Sequence, residues 1–244
     1  MSQHPEPSPF PVGSFLPGGS QTDPPPNPAT TGFKLNHLML RIRSPARSLP
    51  FYINHLGLRT IFTMNTGPFT IYYLGYPLPG TNQETLQSWA EETSNIHTLT
   101  QTPGLLELYH VHGSEKPVEE GGIEMSTGNQ VPNLGFGHLG FTVPDVPAAV
   151  ERLRSEGVRI VKELGSVGRE TVPLSQFEAE RGVGVGEICE EYARFWRQIA
   201  CVADPVSLSA WTVGLWAVFA DDEGRMGTSL NCYRRICNKL SVSG

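Results

Sequence analysis

The sequence predicts an α+β protein made of two copies of one β-α-β-β-β module. The main observation is an internal repeat: residues 37–58 read HLMLRIRSPARSLPFYINHLGL, and residues 138–158 read HLGFTVPDVPAAVERLRSEGV. Each copy passes from a short apolar stretch through a turn with proline into a helix-like segment that ends at glycine. The remaining apolar runs follow one another closely instead of alternating with helices, which favours helices packed outside a curved sheet.

In the first copy, a strand begins at His37, and Ser44 followed by Pro45 fits the start of a helix. Pro50 interrupts that helix, so we expect the helix to start later or to bend. Gly57 fits a left-handed residue that ends it. Apolar or alternating runs predict the remaining strands at 58–64, 69–76 and 105–111. The polar stretch 80–103 predicts a loop or a short helix.

The second copy repeats this order up to an insertion. Asp145 fits a helix N-cap, and the stripe of Val146, Val150 and Leu153 follows it up to Gly157. The inserted segment 165–192 then intrudes before the strand-like sequence within 193–205. Its GVGVG stretch is a poor match to a phosphate loop, because no strand precedes it and no Lys-Ser or Lys-Thr follows.

Composition excludes several classes of function. The net charge of −6 gives no basic field for nucleic acid, and no apolar run approaches the length of a membrane span. Nine of the 21 prolines fall within residues 1–31, where we expect a disordered leader and no signal peptide. The expected location is therefore cytoplasmic, where cysteines stay thiols and form no disulfides: Cys189, Cys201, Cys232 and Cys237.

The repeat also suggests a metal site. His37 and His138 begin equivalent strands, and Glu107 lies between leucines in a later strand of the first module. Two imidazoles and one carboxylate form a plausible donor set for a divalent metal. Strand alternation places Met39 and Arg41 on the face of His37. The alternative is that these histidines are structural residues held by hydrogen bonds.

These residues resemble those of the glyoxalase I (lactoylglutathione lyase) family, in the vicinal oxygen chelate superfamily. The resemblance rests on NHLMLRIRSPARSLPFYINHLGL (36–58), IYYLGYP (71–77), LLELYHVHGSE (105–115), LGFGHLGFTVPDVPAAVERLRSEGVRIVKE (134–163) and IACVADP (199–205). It divides the chain into a Pro-rich leader (1–31), a glyoxalase-like domain (32–205) with modules at about 32–115 and 134–205, and an atypical tail (206–244).

The resemblance implies a divalent metal, zinc in preference to nickel, held by His37, Glu107 and His138. The implied substrate is the hemithioacetal of methylglyoxal and glutathione, and the implied product is S-lactoylglutathione. Glu107 would also act as a general base that moves a proton between adjacent carbons. Arg41 matches the basic residue that meets a glutathione carboxylate. Family members also form homodimers, so a homodimer is expected here.

The chain departs from the family at the fourth metal ligand. In the family, a glutamate lies seven residues after the Asp of an Asp-Pro pair. Here that pair is Asp204-Pro205, and Trp211 occupies the position of the glutamate. No Glu occurs between Glu191 and Glu223. We therefore expect an incomplete second module and an impaired lyase. The tail is interpreted either as a diverged C-terminus or as an ending unrelated to the family.

Two further departures concern glutathione. Val111 stands where the family usually has Asn, and Leu134 stands where it often has Arg. In the family, that Asn and Arg would hold the polar ends of the tripeptide. The predicted alternative is a non-catalytic or differently specific small-molecule-binding protein on the same scaffold. A third hypothesis is that the two histidines and one carboxylate form a facial triad for non-haem iron. The family pattern argues against this hypothesis.

Overall fold

The computed structural model describes residues 8, 10–14, 23–126, 128–172 and 174–205, with the backbone of 213–217, 219–220 and 226–227. The chain forms two compact units, the first spanning 17–125 and the second combining 1–16 with 126–244. Part of the predicted leader lies outside the described residues. The longest described stretch of the leader, 23–31, is exposed and includes a 3₁₀ turn at Pro28–Thr30. No helix in the described part of the chain combines the length and apolarity that crossing a bilayer requires.

The first unit contains a mixed four-stranded sheet with three α-helices. Its elements are β1 (His37–Arg41), α1 (Pro45–Pro50), β2 (Arg59–Asn65), β3 (Phe69–Gly75), α2 (Leu86–Ser94), α3 (Ile96–Gln101) and β4 (Leu105–Val111). The strand order is β1-β4-β3-β2, with β1 parallel to β4 and the other neighbours antiparallel. The predicted β-α-β-β-β order is confirmed, and the polar stretch within 80–103 supplies α2 and α3.

Pro50 changes the first helix without delaying its start. The helix α1 begins at Pro45, and beyond Pro50 the chain continues as a π-helical turn, Phe51–His55. Proline lacks an N–H and crowds the preceding turn, and a wider turn accommodates both. Gly57 follows with a φ of 83°, the left-handed conformation expected of it. The predicted N-cap residue, Ser44, makes no side-chain capping hydrogen bond.

Alternation divides β4 between the two faces of the first sheet. Leu106 and Leu108 lie on one face and are 4% and 0% exposed. Leu105, Glu107 and Tyr109 lie on the other. Near Leu105 this second face is covered. Ile61, Tyr73 and Leu105 form a buried cluster there, and Trp89 of α2 and Leu99 of α3 pack against it. Helices α2 and α3 thus cover one end of the face that carries Glu107.

The second unit repeats the sheet of the first. Its elements are β5 (Asn129–Gln130), β6 (Asn133–Leu134), β7 (Leu139–Val143), α4 (Val146–Ser155), β8 (Ile160–Lys162), α5 (Gln176–Ala179), α6 (Glu190–Trp196), β9 (Ile199–Val202), β10 (Val213–Ala217), β11 (Phe219–Ala220) and β12 (Met226–Gly227). The order β7-β10-β9-β8 matches that of the first sheet, again with one parallel pair, β7 and β10. This match confirms the repeat.

The helix of the second module begins and packs as predicted. The Ala148 backbone N–H donates to Asp145 Oδ1 at 2.8 Å, which satisfies one of the free donors at the start of α4. The stripe of Val146, Val150 and Leu153 is buried. An N-cap and an apolar stripe at helical spacing therefore predicted this element from local sequence alone.

The expectation of an incomplete second module is wrong with respect to its strands. Strand β10 lies between β7 and β9 and supplies the fourth strand of the second sheet. The apolar sequence within 211–220 suits a strand, and a strand here pairs backbone groups of β7 and β9 that would otherwise lack partners. The predicted tail, 206–244, thus contributes to the fold, although most of it lies outside the described residues.

The insertion packs against the second sheet. Val172 and Trp196 form a buried cluster with Ile199 and Cys201 of β9. The Trp196 indole N–H donates to the Thr171 carbonyl and hydroxyl at 3.1 and 3.0 Å. An indole N–H that finds such a partner can be buried without loss of its hydrogen bond. The insertion is therefore an ordered part of the second unit.

Among the described residues, the cysteines are Cys189 and Cys201, and both are free thiols. Cys201 is buried, and burial raises the pKa of its thiol to about 11. A thiol kept protonated in this way behaves as a small apolar core residue. Cys232 and Cys237 lie outside the described residues.

Candidate functional site

Glu107 occupies the middle of the first sheet. In the strand register it lies beside Met39 of β1 on one side and Tyr73 of β3 on the other. Its side chain is 14% exposed. A carboxylate so nearly buried needs partners that compensate for lost water, and two side chains of the same face provide them: His37 and Tyr73.

The structure brings His37 and Glu107 together. His37 Nε2 lies 3.5 Å from Glu107 Oε2, and the histidine side chain is 38% exposed. This separation exceeds that of an ordinary hydrogen bond between nitrogen and oxygen. The two predicted ligands of the first module are thus neighbours whose nearest nitrogen and oxygen atoms are too far apart for an ordinary hydrogen bond.

Asn36 holds the other nitrogen of that ring. Its Oδ1 lies 2.9 Å from His37 Nδ1, while its Nδ2 donates to the backbone carbonyls of Leu99 and Thr102 at 2.8 and 2.6 Å. Asn36 therefore links the start of β1 to the end of α3. The sequence predictions did not include it. Its signal was only its position directly before His37, and the two carbonyls that it binds lie more than 60 residues away.

Tyr73 is the second partner of Glu107. Burial raises the pKa of Tyr73 to about 12, and the charge of Glu107 and a hydrogen bond to it add to the rise. The Tyr73 ring stacks on Phe62, with centroids 4.8 Å apart, and its centroid lies 5.4 Å from that of His37. The tyrosine is thus held from two sides while its hydroxyl stays a proton donor to Glu107. Alternation along FTIYYLGY was the signal that could have found it.

Arg41 lies further along the same edge strand. Its guanidinium carbon is 5.9 Å from the centroid of the Tyr109 ring, which itself stacks on Phe69. Met39, between His37 and Arg41, is 45% exposed. Alternation predicts that Met39 and Arg41 share the face of His37, and the register places Met39 beside Glu107. An exposed cation 5.9 Å from an aromatic ring remains available to an anionic ligand.

Two other histidines lie on β4 or just beyond it, away from Glu107. His110 Nε2 lies 3.2 Å from Glu115 Oε2, and His112 Nε2 lies 2.8 Å from the Thr70 hydroxyl. The Gly113 N–H also donates to Glu115, which closes a short loop after the strand. The alternation of β4 predicts that His110 faces away from Glu107, and its partners agree.

In the second unit, His138 is exposed and lies one residue before β7, at the position equivalent to His37. The residue equivalent to Met39 is Gly140, and it pairs with Gly214 of β10. Gly214 therefore holds the position of Glu107. The prediction that placed Trp211 there is corrected, because the register of β10 sets the position and Trp211 lies outside the described residues. The conclusion that the chain has no carboxylate at this position remains.

The face of Gly214 is filled by apolar side chains. Gly214 pairs with Cys201 across the antiparallel strands, so a side chain at either position lies on the same face. Cys201 and Ile199 on that face pack with Val172 of the insertion and with Trp196 of α6. The first sheet has a carboxylate, an imidazole and a phenol on the equivalent face, and the second has a packed apolar cluster.

A buried lysine borders this cluster. Lys162 is 2% exposed; its ammonium donates to the Ile199 carbonyl at 2.6 Å and lies 5.0 Å from the centroid of the Trp196 ring. Burial lowers the pKa of Lys162, and the nearby Cys201 opposes that change. The carbonyl and the aromatic face are partners that offset part of the cost of burying this ammonium.

The donors at His37 and Glu107 fit part of a metal site. Two ligands of one tetrahedral zinc ion lie about 3.4 Å apart, and the His37 and Glu107 atoms are separated by 3.5 Å. Among the residues that the structure describes, no three His, Cys, Asp or Glu side chains form a group that could hold a metal. The first unit thus offers two suitable donors, an imidazole and a carboxylate.

The two glutathione-related positions lie at the ends of short elements. Val111 is the last residue of β4 and pairs with Phe69, and Leu134 is the exposed end of β6. Neither side chain offers a hydrogen bond to a polar ligand. What these positions mean for the ligand stays a prediction.

The family match agrees with the fold and with the residues on it. The model of the Glyoxalase/Bleomycin resistance protein/Dioxygenase superfamily matches residues 34–173. The chain belongs to this superfamily. The matched region begins before His37, includes Glu107 and His138, and ends inside the insertion. The resemblance seen in the sequence is confirmed at this level.

Two relatives of the chain are named for the same activity. A lactoylglutathione lyase of Pseudomonas aeruginosa is 37% identical over 139 residues, which cover 57% of this chain and 74% of that protein. Glyoxalase I of Saccharomyces cerevisiae is 33% identical over 136 residues, or 56% of this chain and 39% of the yeast protein. The matched part of the chain thus spans well under half of the yeast protein's length.

Solved structures of the superfamily resemble the chain more loosely. Glyoxalase I of Leishmania major gives a TM-score of 0.44 at 16% identity, covering 87% of this chain and 100% of that one. Glyoxalase I of Zea mays gives 0.41 at 18%, covering 75% and 43%. The assignment to the superfamily therefore rests on the sequence match and on the strand order of the two sheets.

Proposed function

We propose that the chain is a glyoxalase I-type lyase that converts the hemithioacetal of methylglyoxal and glutathione to S-lactoylglutathione. One observation carries the proposal: His37 and Glu107 lie 3.5 Å apart on one face of the first sheet, in a chain that resembles lactoylglutathione lyases. An imidazole and a carboxylate at this separation suit a divalent metal, which we propose to be zinc in preference to nickel. His138 is proposed as a further ligand on the sequence resemblance alone.

The reaction moves one proton between adjacent carbons of the substrate and a second proton between the oxygens that these carbons carry. A bound divalent metal would supply positive charge beside the substrate oxygens, where negative charge develops. Glu107 would take the proton from the carbon that bears sulfur and return it to the neighbouring carbon. Tyr73 would hold the Glu107 carboxylate through its hydroxyl. Arg41, exposed on the same strand, would bind a carboxylate of the glutathione part.

The proposed lyase is slow compared with enzymes that have a second carboxylate. With Gly214 at the position equivalent to Glu107, one carboxylate has to serve as ligand and as base. Loss of a ligand lowers metal affinity, and loss of a base slows proton transfer. We therefore propose weak but measurable turnover. The free thiols of Cys189 and Cys201 accord with action in the reducing cytoplasm.

The test uses the full chain. Its metal content is measured after purification, and formation of S-lactoylglutathione is followed with and without added Zn²⁺ or Ni²⁺. We expect bound metal and turnover that both fall strongly in His37→Ala. The matched control is His112→Ala, since His112 is also a histidine of the first unit but is bound to Thr70 and not to Glu107. Equal loss in both variants, or no activity with any metal, would contradict the proposal.

A second candidate function is binding of a less polar small molecule without turnover. The observation in its favour is the apolar cluster of Trp196, Val172, Ile199 and Cys201 on the second sheet, where the first has Glu107. Val111 and Leu134 point the same way, because neither can bind a polar end of glutathione. Tight binding of an apolar thioether with no product from the glutathione adduct would favour this function over the lyase.

A further inference from the structure

The orientation of the Asn36 amide follows from its partners. The Leu99 and Thr102 carbonyls can only accept hydrogen bonds, so the group 2.8 and 2.6 Å from them is the amide nitrogen. The amide oxygen then lies on the other side, 2.9 Å from His37 Nδ1. Because that oxygen can only accept, Nδ1 of His37 has to carry the hydrogen.

This arrangement decides what His37 offers to Glu107. In a neutral imidazole one nitrogen is a donor and the other an acceptor. With the hydrogen on Nδ1, Nε2 presents a lone pair toward Glu107 Oε2, 3.5 Å away. Two acceptors that face each other cannot form a hydrogen bond, and both remain available to a cation between them. The opposite tautomer would place an N–H at Nε2, which would donate to Glu107 and close the pair.

We propose that Asn36 is a positioning residue that fixes the Nδ1–H tautomer of His37 and thereby keeps His37 and Glu107 open for a cation. The tautomer is a property of the metal-free chain, and its consequence for metal binding rests on the proposed function. Asn36 acts through His37 and touches no substrate. Its bonds to the end of α3 fix the amide, so the same residue joins the helix to the ligand.

The tautomer is measured directly by ¹⁵N NMR of the histidine rings, in the metal-free full chain at a pH where the rings are neutral. We expect the Nδ1–H form of His37 in the wild type, where the Asn36 amide oxygen accepts from Nδ1. Asn36→Ala should show the Nε2–H form or a mixture. The rings of His110 and His112, with Glu115 and Thr70 as partners, are internal references that should not change.

The consequence is measured by titration of the same chains with Zn²⁺. Removing the partner that orients a ligating histidine typically weakens metal binding about 10- to 100-fold, and we expect a loss of this size in Asn36→Ala. Asn95→Ala is the matched control. Asn95 caps the start of α3 through the His97 N–H and has no bond to His37, so its removal loosens the helix alone.

The outcomes separate this proposal from the proposed function. An Nε2–H tautomer in the wild type overturns the positioning role, whatever the variants do. Where the wild type binds Zn²⁺, equal affinity of the wild type and Asn36→Ala, or equal losses in Asn36→Ala and Asn95→Ala, also overturns it. If the wild type shows Nδ1–H, loses it in Asn36→Ala and yet binds no metal, the positioning role stands and the metal-dependent function fails. The wild-type spectrum decides the tautomer even if Asn36→Ala does not fold.

Discussion

Gly214 holds in the second sheet the register position that Glu107 holds in the first. Glu107 pairs with Tyr73 across antiparallel strands, and Gly214 pairs in the same way with Cys201. The two modules therefore share their strand order and differ in the chemistry at their centres. Tyr73 lies beside a carboxylate that helps to raise its pKa, whereas Cys201 lies in a buried apolar cluster with Trp196.

A carboxylate restored at this position is expected to destabilise the chain. In Gly214→Glu the new side chain would enter the face where Cys201 and Trp196 are buried. Burying a carboxylate among apolar groups without full hydrogen bonding costs about 2–4 kcal/mol, to which displaced packing adds. Urea unfolding should show this loss. Unchanged stability together with faster formation of S-lactoylglutathione would show instead that the carboxylate reaches a catalytic position.

Glu107 is expected to be essential for turnover but not for the fold. Glu107→Gln keeps an oxygen that accepts from Tyr73 but removes the negative charge and the base, so activity should fall by about 10²- to 10⁴-fold. Glu115→Gln is the control, because Glu115 pairs with His110. Similar activities of the two variants in the S-lactoylglutathione assay would exclude Glu107 as the base.

Local patterns predicted those parts of the fold and site that depend on neighbours in the sequence. Alternation grouped His37 with Arg41, and capping signals placed α4 at Asp145. Pairing across long stretches of chain decided the rest. The role of Gly214 follows only from its pairing with Gly140, which lies 74 residues earlier in the chain.

Asn36 and Lys162 show the same limit at the level of single side chains. Each is fixed by carbonyls far away in sequence, Asn36 by those of Leu99 and Thr102 and Lys162 by that of Ile199. No periodicity marks such residues, because a polar side chain next to an apolar run looks the same whether it faces solvent or a carbonyl.

Alkaline conditions should destabilise the wild type between pH 10 and pH 12. The pKa of Tyr73 is raised to about 12, from an ordinary value of 10.0, mainly by burial and further by Glu107. Above pH 10 the unfolded chain releases this proton while the folded chain retains it, so the free energy of unfolding falls until the folded form also titrates. Tyr73→Phe should reduce the slope of stability against pH in this range.

The stability difference between the wild type and Tyr73→Phe at pH 8 is the reference for that comparison. Tyr73 is protonated there in both the folded and the unfolded wild type, so the difference reports only the lost hydroxyl contact. Tyr76, whose pKa burial also raises to about 12, is present in both proteins and cancels. A pH 8 difference that persists unchanged to pH 12 would show that the Tyr73 hydroxyl is not held as the structure indicates.

Trp196 is expected to hold the insertion on the second sheet. Trp196→Phe keeps an aromatic ring but leaves Thr171 without the indole donor, at a cost of about 1–2 kcal/mol. Trp196→Ala also opens a cavity in the cluster and removes the ring beside the Lys162 ammonium, so we expect about 3–5 kcal/mol. Urea unfolding measures both losses, and trypsin should cleave faster at Arg181 within the insertion of the alanine variant. Equal stability of the two variants would mean that the indole hydrogen bond, and not packing, holds the insertion in place.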